Sequence, residues 1–353
     1  MSEAEILVER HGRAGILTLN RPKALNALTP GMVASLRAAL EDWRDDEAVT
    51  RVILRAAGDK AFCAGGDIRQ VYEQGKAGDP KQAEFFADEY RLNIAIKRYP
   101  KPIVSLIDGI VMGGGVGISA HGSHRVGSER TTFAMPETGI GFFPDVGGSY
   151  LLPRMPDETG MMLALSAGRL KQADALWTGV LTHAVNAADL EALQATLCEA
   201  DDIDAALAEA AGRCDPGPAP LAARAARISE IFSATSVAAI LAGLEAEAAT
   251  AGENGEWAGK VLSAISSKSP TSLEISFEQL RRGGALEFED CMTMEFRIVS
   301  RILKGHDFYE GVRALIVDKD NQPVWQPSRL ADVARDDVLA HFEAPEGGDL
   351  EIR

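Results

Sequence analysis

The sequence predicts an α/β fold with a helical C-terminal region, and three observations carry that expectation. Short apolar runs recur through the first 155 residues, each leading through a glycine-rich turn to a helical pattern. The intervals between these units are irregular, which excludes a short-period solenoid and fits a core whose loops carry chemistry. Beyond about residue 155 the strand signals fade into an alanine- and leucine-rich helical pattern.

Each element follows from local chemistry. Ile6-Leu7-Val8 and Ile16-Leu17-Thr18-Leu19 read as strands about a turn at His11-Gly12-Arg13, and Asn20-Arg21-Pro22 ends the second. A helix is expected over 29–43, with Thr29 as N-cap and Pro30 at the first helical position. Val52-Ile53-Leu54 is a third strand, leading to Cys63-Ala64-Gly65-Gly66-Asp67 and a helix from Ile68 that Asp67 can cap. Residues 83–98 read as a long helix. Pro102-Ile103-Val104-Ser105-Leu106-Ile107 is a buried strand that turns at Asp108-Gly109 and reaches Gly113-Gly114-Gly115-Val116-Gly117. A further strand is expected near 131–134. Residues 156–212 are mostly helical, with a short extended piece near 180–185. Asp215-Pro216-Gly217-Pro218-Ala219-Pro220 reads as a linker. The remainder is helical, with an N-cap signal at Ser269-Pro270-Thr271 and an irregular tail through Pro323, Trp325 and Pro327.

Composition narrows the function classes. The 353 residues are 46% hydrophobic and 25% charged, as in ordinary globular proteins, and fit one large domain or two. The net charge of −16 opposes binding to nucleic acid or to an anionic membrane surface. The most apolar stretch, 103–120, is broken by Asp108 and five glycines, so no membrane-spanning helix is expected. The acidic N-terminus has no apolar core, so no signal peptide is expected. Cys63, Cys198, Cys214 and Cys291 lack the spacing of a disulfide framework or a zinc site, and a reducing compartment is the default. The expectation is a soluble, cytoplasmic, acidic protein with no metal and no resident cofactor.

Three segments can carry chemistry. In Cys63-Ala64-Gly65-Gly66-Asp67-Ile68, two glycines between a strand and a helix let backbone N–H groups approach an oxygen anion. On its own this segment reads first as a plain tight turn. Met112-Gly113-Gly114-Gly115-Val116-Gly117 offers either close packing or another exposed N–H. Neither loop has the pattern of a dinucleotide fold or a nucleotide P-loop. Residues 133–148 hold two carboxylates, Glu137 and Asp145, among Phe, Met, Ile, Gly and Pro. An apolar setting raises a carboxyl pKa toward neutrality, which suits acid–base or nucleophilic work. His121 and His124 have no matching nucleophile motif and read as structural.

Taken in order, Asn20-Arg21-Pro22-Lys23-Ala24-Leu25-Asn26, Phe62-Cys63-Ala64-Gly65-Gly66-Asp67-Ile68, Gly113-Gly114-Gly115, and Pro136-Glu137 through Pro144-Asp145 to Gly147-Gly148 resemble the crotonase (enoyl-CoA hydratase/isomerase) superfamily. The resemblance implies a spiral of ββα units and a coenzyme A thioester substrate. It implies a core over 1–212 holding the active site and a helical region over 213–353 completing the pocket. It implies an oxyanion hole from the N–H groups of Gly66 and Gly114. A homo-oligomer is compatible with it, since crotonase relatives are often trimers or hexamers.

One departure selects among reactions. Hydratases of this family carry a glutamate two residues after the glycine triplet, where this chain has Gly117. Asp145 stands where hydratases commonly carry glycine. The pairing of Glu137 with Asp145 resembles the 3-hydroxyisobutyryl-CoA hydrolase branch, as do Ser269-Pro270-Thr271-Ser272-Leu273, Met294-Glu295-Phe296-Arg297, residues 305–313, Asp318-Lys319-Asp320 and Pro323-Val324-Trp325-Gln326-Pro327. By that resemblance Glu137 attacks the thioester or activates water, Asp145 manages protons, and Glu89 binds a substrate hydroxyl. On its residues alone Glu89 reads as an ordinary helix-surface glutamate. Lys23, Ala24, Leu25, Ala64, Ile68 and Arg69 become candidates for binding coenzyme A, with Arg69 and Lys319 placed toward its phosphates. The expected reaction is hydrolysis of a short 3-hydroxyacyl-CoA, 3-hydroxyisobutyryl-CoA of valine degradation before 3-hydroxypropionyl-CoA. An enoyl-CoA hydratase or isomerase is the alternative. An inert CoA-binding or RNA-binding relative is opposed by the Glu137–Asp145 pair and by the acidic surface.

Overall fold

Apolar runs become strands where both faces find cover, and the computed structural model describes this for residues 4–352. In chain order the elements are β1 (Ile6–His11), β2 (Ala14–Leu19), α1 (Pro30–Arg44), β3 (Arg51–Ala56), β4 (Ala61–Cys63), α2 (Ile68–Lys76), α3 (Lys81–Lys97), β5 (Ile103–Ile107), β6 (Ile110–Met112), α4 (Gly114–Ala120), β7 (His124–Gly127), β8 (Thr132–Ala134) and α5 (Gly148–Leu151). They continue through α6 (Thr159–Ser166), β9 (Arg169–Leu170), α7 (Gln172–Trp177), β10 (His183–Ala184), α8 (Leu190–Glu199), α9 (Ile203–Ala211), α10 (Ala225–Phe232), α11 (Val237–Ala248), α12 (Glu253–Ser266), α13 (Pro270–Gly283), α14 (Phe288–Ile302), α15 (His306–Val312) and α16 (Arg335–Ala340). One sheet has the order β1-β2-β3-β5-β7-β10 and a second the order β4-β6-β8-β9.

The described chain forms two compact units. The first takes in Met1–Asp67, Arg91–Phe133 and Leu170–Ala222. In it β1 pairs antiparallel with β2, while β2, β3, β5, β7 and β10 run parallel. Parallel strands are covered on both faces, which is why β5 reads as an unbroken buried run. Ile16, Ile53, Val104 and Val126 pack there with Leu193 and Leu197 of α8 and Leu207 of α9. Thr29 Oγ1 accepts the Met32 N–H at the start of α1, as its position before Pro30 predicts.

Strand ends depart from the reading of the sequence. The first hairpin stays paired from Ile6↔Leu19 to His11↔Ala14, so the turn shrinks to Gly12-Arg13. The strands β4, β6 and β7 are three or four residues long, too short to show a period, and the sequence reading passes over them.

The second unit takes in Ile68–Tyr90, Ala134–Arg169 and Ala223–Arg353, and is largely helical. Its C-terminal motifs find one another. Ser269 Oγ caps α13 by accepting the Ser272 N–H and donates to Asp307 Oδ2, whose other oxygen accepts the Gln326 N–H. Trp325 Nε1 donates to Ser267 O. Helix α13 comes down on α5 at Gly283, where a Cβ would stand 2.1 Å from Ser149 O. Only glycine fits there, and the contact seats α5 directly after Asp145. Gly283→Ala is therefore expected to lower unfolding free energy by about 1–3 kcal/mol, read from the urea midpoint. An unchanged midpoint contradicts the contact.

Candidate active site

Four carboxylic acids meet within the second unit, brought there by three helices and a loop. Glu89 and Tyr90 lie on α3, Glu137 opens a 3-10 turn over Glu137–Ile140, Asp145 sits just before α5, and Glu295 lies on α14. Glu89, Glu137, Asp145 and Glu295 are 2%, 6%, 4% and 0% exposed. Apolar rings make that burial. Phe142 stacks on Phe86 at 5.4 Å and touches Phe143 at 4.8 Å and Phe308 at 5.5 Å. Gly141, at φ +69°, ends the 3-10 turn and turns Phe142 inward so that its N–H reaches Glu137 O.

Polar contacts then order the acids. Tyr90 Oη donates to Asp145 Oδ2 at 2.9 Å. Glu295 accepts the N–H groups of Gly147 and Ser149, each at 2.9 Å. Gln279 Nε2 donates to Pro144 O at 2.5 Å and to Ser149 Oγ at 2.7 Å. Glu89 Oε1 and Glu137 Oε2 are buried without a hydrogen-bond partner among the described residues. Such groups are costly to leave unmet, so they mark where a polar ligand atom belongs. The turn itself is strained: Val146 has φ +51° and Gly147 φ +87°. A β-branched residue in that region costs on the order of 1–3 kcal/mol and persists only where its surroundings enforce it.

Electrostatics follow from burial. Desolvation, helped by the Asp145 charge, pushes the Glu89 and Glu137 carboxyls well above the ordinary glutamate range. Desolvation pushes Asp145 up to about 7, against the opposing pull of the Tyr90 hydrogen bond. It pushes Glu295 up to about 8, with the Asp145 charge adding and the Gly147 and Ser149 donors subtracting. Like charges this close cannot all ionise near neutral pH, so the group holds protons to share.

The glycine loops meet in the first unit. Leu28 N–H donates to Gly65 O and Asp67 N–H to Leu28 O, and this bridge leaves the Gly66 N–H outside its bonding. Gly114 opens α4, where the first N–H groups have no partner within the helix. A Cβ on Gly65 would stand 4.0 Å from Gly114 N, and one on Gly115 would strike Cys63 O at 2.4 Å. Gly115 is thus required for close approach, and the loop at Gly65 lies beside the start of α4.

Other candidates fall as follows. Lys23 and Ala24 lie in a 3-10 turn over Pro22–Ala24, and Leu25 O accepts the Ala64 N–H, which joins these four residues at one surface of the first unit. Ile68 and Arg69 open α2 in the second unit, and Arg69 is exposed, 3.9 Å from Glu73. Lys319 is exposed in the tail. Asp67 pairs with Arg21 at 3.2 Å. His124 stands between Ser123 Oγ (2.9 Å) and Asp204 Oδ1 (2.8 Å). That row has the look of a nucleophile set, but Ser123 Oγ also accepts Ile103 N–H and donates to Ile103 O, which spends it on the strand end. Gly117 is buried in α4. Glu89 corrects the reading from residues alone: it is interior, on a stretch of α3 whose Phe85, Phe86, Tyr90, Leu92 and Ile94 are buried on successive sides of the helix.

Tyr90, Gln279 and Glu295 escaped the sequence reading as site residues. The signal for Glu295 was present: it is a lone acid on the stripe Cys291, Met292, Met294, Ile298 and Val299 that α14 buries. In the first unit, Asn93 is wholly buried, and neither amide atom has a hydrogen-bond partner among the described residues.

Residues 14–342 match the family described as enoyl-CoA hydratase/isomerase. The mitochondrial 3-hydroxyisobutyryl-CoA hydrolase of Xenopus tropicalis is 44% identical over 361 residues, covering 100% of this chain and 92% of that protein. Its Homo sapiens counterpart is 41% identical over 356 residues, covering 99% and 91%. Among solved structures, a carnitinyl-CoA dehydratase from Mycobacterium thermoresistibile superposes with a TM-score of 0.92 at 42% identity over 98% of both chains. An enoyl-CoA hydratase from Rhodobacter sphaeroides 2.4.1 does so with a TM-score of 0.88 at 37% identity, over 99% of this chain and 100% of that one. Matched along its length in sequence and in fold, the chain belongs to the crotonase (enoyl-CoA hydratase/isomerase) superfamily and has its α/β fold of two sheets with a helical C-terminal region.

Proposed function

We propose that this chain hydrolyses a short 3-hydroxyacyl-CoA thioester, 3-hydroxyisobutyryl-CoA of valine degradation, to the free hydroxy acid and coenzyme A. The observation that carries the reading is the buried Glu137–Asp145 pair, with Tyr90 bonded to Asp145 and a glycine at 117. Hydration of a double bond calls for the carboxylate that Gly117 lacks. Hydrolysis calls for a nucleophile and a proton donor, and a carboxyl pair sharing one proton provides both. The names borne by the Xenopus and human relatives support the same reaction.

The steps are these. The N–H groups of Gly66 and Gly114 take the thioester oxygen as it gains negative charge. In the state that places the shared proton on Asp145, Glu137 is ionised and, its Oε2 unpartnered, attacks the thioester carbon. The C–S bond breaks, leaving a mixed anhydride, and the departing thiolate takes the proton from Asp145. Water then cleaves the anhydride; one of its protons returns to Asp145 and the other leaves with the hydroxy acid. Glu89 Oε1 accepts the substrate 3-hydroxyl, and a site built for that bond discriminates strongly against an acyl group lacking it. Lys23, Ala24, Leu25, Ala64, Ile68 and Arg69 hold the coenzyme A portion.

A second reading is hydration or isomerisation of an enoyl-CoA, favoured by the names of the Mycobacterium thermoresistibile and Rhodobacter sphaeroides proteins. A free-thiol assay with 3-hydroxyisobutyryl-CoA and crotonyl-CoA in parallel separates the two. Thiol release from the hydroxyacyl substrate alone is expected, falling at least about 100-fold in Glu137→Gln and Asp145→Asn. Decay of crotonyl absorbance without thiol release overturns the hydrolase.

The pair also costs stability. The folded protein holds the Asp145 proton up to about pH 7, whereas the unfolded chain releases it near 4. Folding stability therefore falls as pH rises through that window. Asp145→Asn removes the group, so its stability relative to wild type should rise from pH 4 to 7 and level off above. Urea denaturation at pH 4, 6 and 8 checks this, and a constant difference contradicts the raised carboxyl.

A further inference from the structure

We propose that Glu295 is a positioning residue for Asp145: from helix α14 its carboxylate holds the backbone of the strained turn after Asp145, and so fixes where the Asp145 carboxyl stands. The inference rests on the hydrolytic reading only for the reaction in which it is assayed.

The geometry is specific. Glu295 uses both oxygens, Oε2 on the Gly147 N–H and Oε1 on the Ser149 N–H. These donors bracket the start of α5, and Val146 with its positive φ lies between them and Asp145. The Asp145 carbonyl closes the same turn by accepting the Gly148 N–H at 2.8 Å. A valine leaves that conformation unless something restrains it. An interior acid is a costly way to restrain a turn unless both of its oxygens are engaged, as they are here. Gln279 of α13 is a neutral second restraint, on Pro144 O before Asp145 and on Ser149 Oγ after it. Asp145 is therefore held from both sides along its backbone, while its side chain is engaged by Tyr90. Among the described residues no hydrogen bond joins Glu295 to Asp145; their charges act on each other through space, while the hydrogen-bonded connection between them runs through the turn.

The test uses the full chain with Glu295→Gln, which keeps the shape and one acceptor. Hydrogen exchange across residues 145–149, read without substrate, should quicken. The kcat for thiol release should fall about 10- to 100-fold, with KM within about twofold. Adding Val146→Gly, which removes the steric penalty of the positive φ, should recover part of the kcat. Gln279→Met should likewise lower kcat rather than raise KM, and it provides the same reading if Glu295→Gln does not fold. Unchanged exchange, unchanged kcat, a loss carried by KM, or a double variant no better than Glu295→Gln overturns the proposal. If wild type hydrates crotonyl-CoA and releases no thiol, the hydrolytic reading fails alone. Exchange and kcat for hydration then decide the role of Glu295.

Discussion

A buried carboxyl that keeps its proton at neutral pH is the constraint on which the second unit turns. Burying one acid is costly, and burying Glu89, Glu137, Asp145 and Glu295 within one unit is tolerable only if they do not all ionise. The rings of Phe86, Phe142, Phe143 and Phe308 pack on one another in the same unit. The strained turn at Val146 and Gly147 holds Asp145 where Tyr90 can reach it. None of these features is the most stable choice for its position. Together they keep a proton and a reactive lone pair available near pH 7.

The two units hold different kinds of candidate group, backbone in the first and side chains in the second. In the first, Gly115 lets the start of α4 approach the segment after β4 closely. In the second, α3, α13 and α14 bring acids and an amide onto the loop over 135–149. The motifs late in the chain therefore have a physical role at the site. Ser269, Asp307 and Gln326 fasten the segments that support α13, and α13 carries Gln279.

Much of this was legible in the sequence. Thr29-Pro30 and Ser269-Pro270 marked helix starts because a capping hydroxyl before proline leaves few alternatives. Glu137 and Asp145 stood out as charges among aromatic residues. The burial of Glu89 was not legible, because a helical stretch buried on successive sides has no single exposed face to set its polar residues apart. The strands β4, β6 and β7 were hidden by their brevity. Tyr90 and Gln279 look ordinary in sequence, since their roles come from partners 55 and 130–135 residues away.

The most direct measurement is the titration of the Asp145 side chain by carbon-13 NMR, with aspartate labelled and Asp145→Asn used to assign the signal. It requires no substrate and assumes no reaction. A midpoint near 7 is expected for a carboxyl buried among other acids. A midpoint near the ordinary aspartate value of about 4 would contradict proton sharing in the buried group, and with it the division of roles between Glu137 and Asp145.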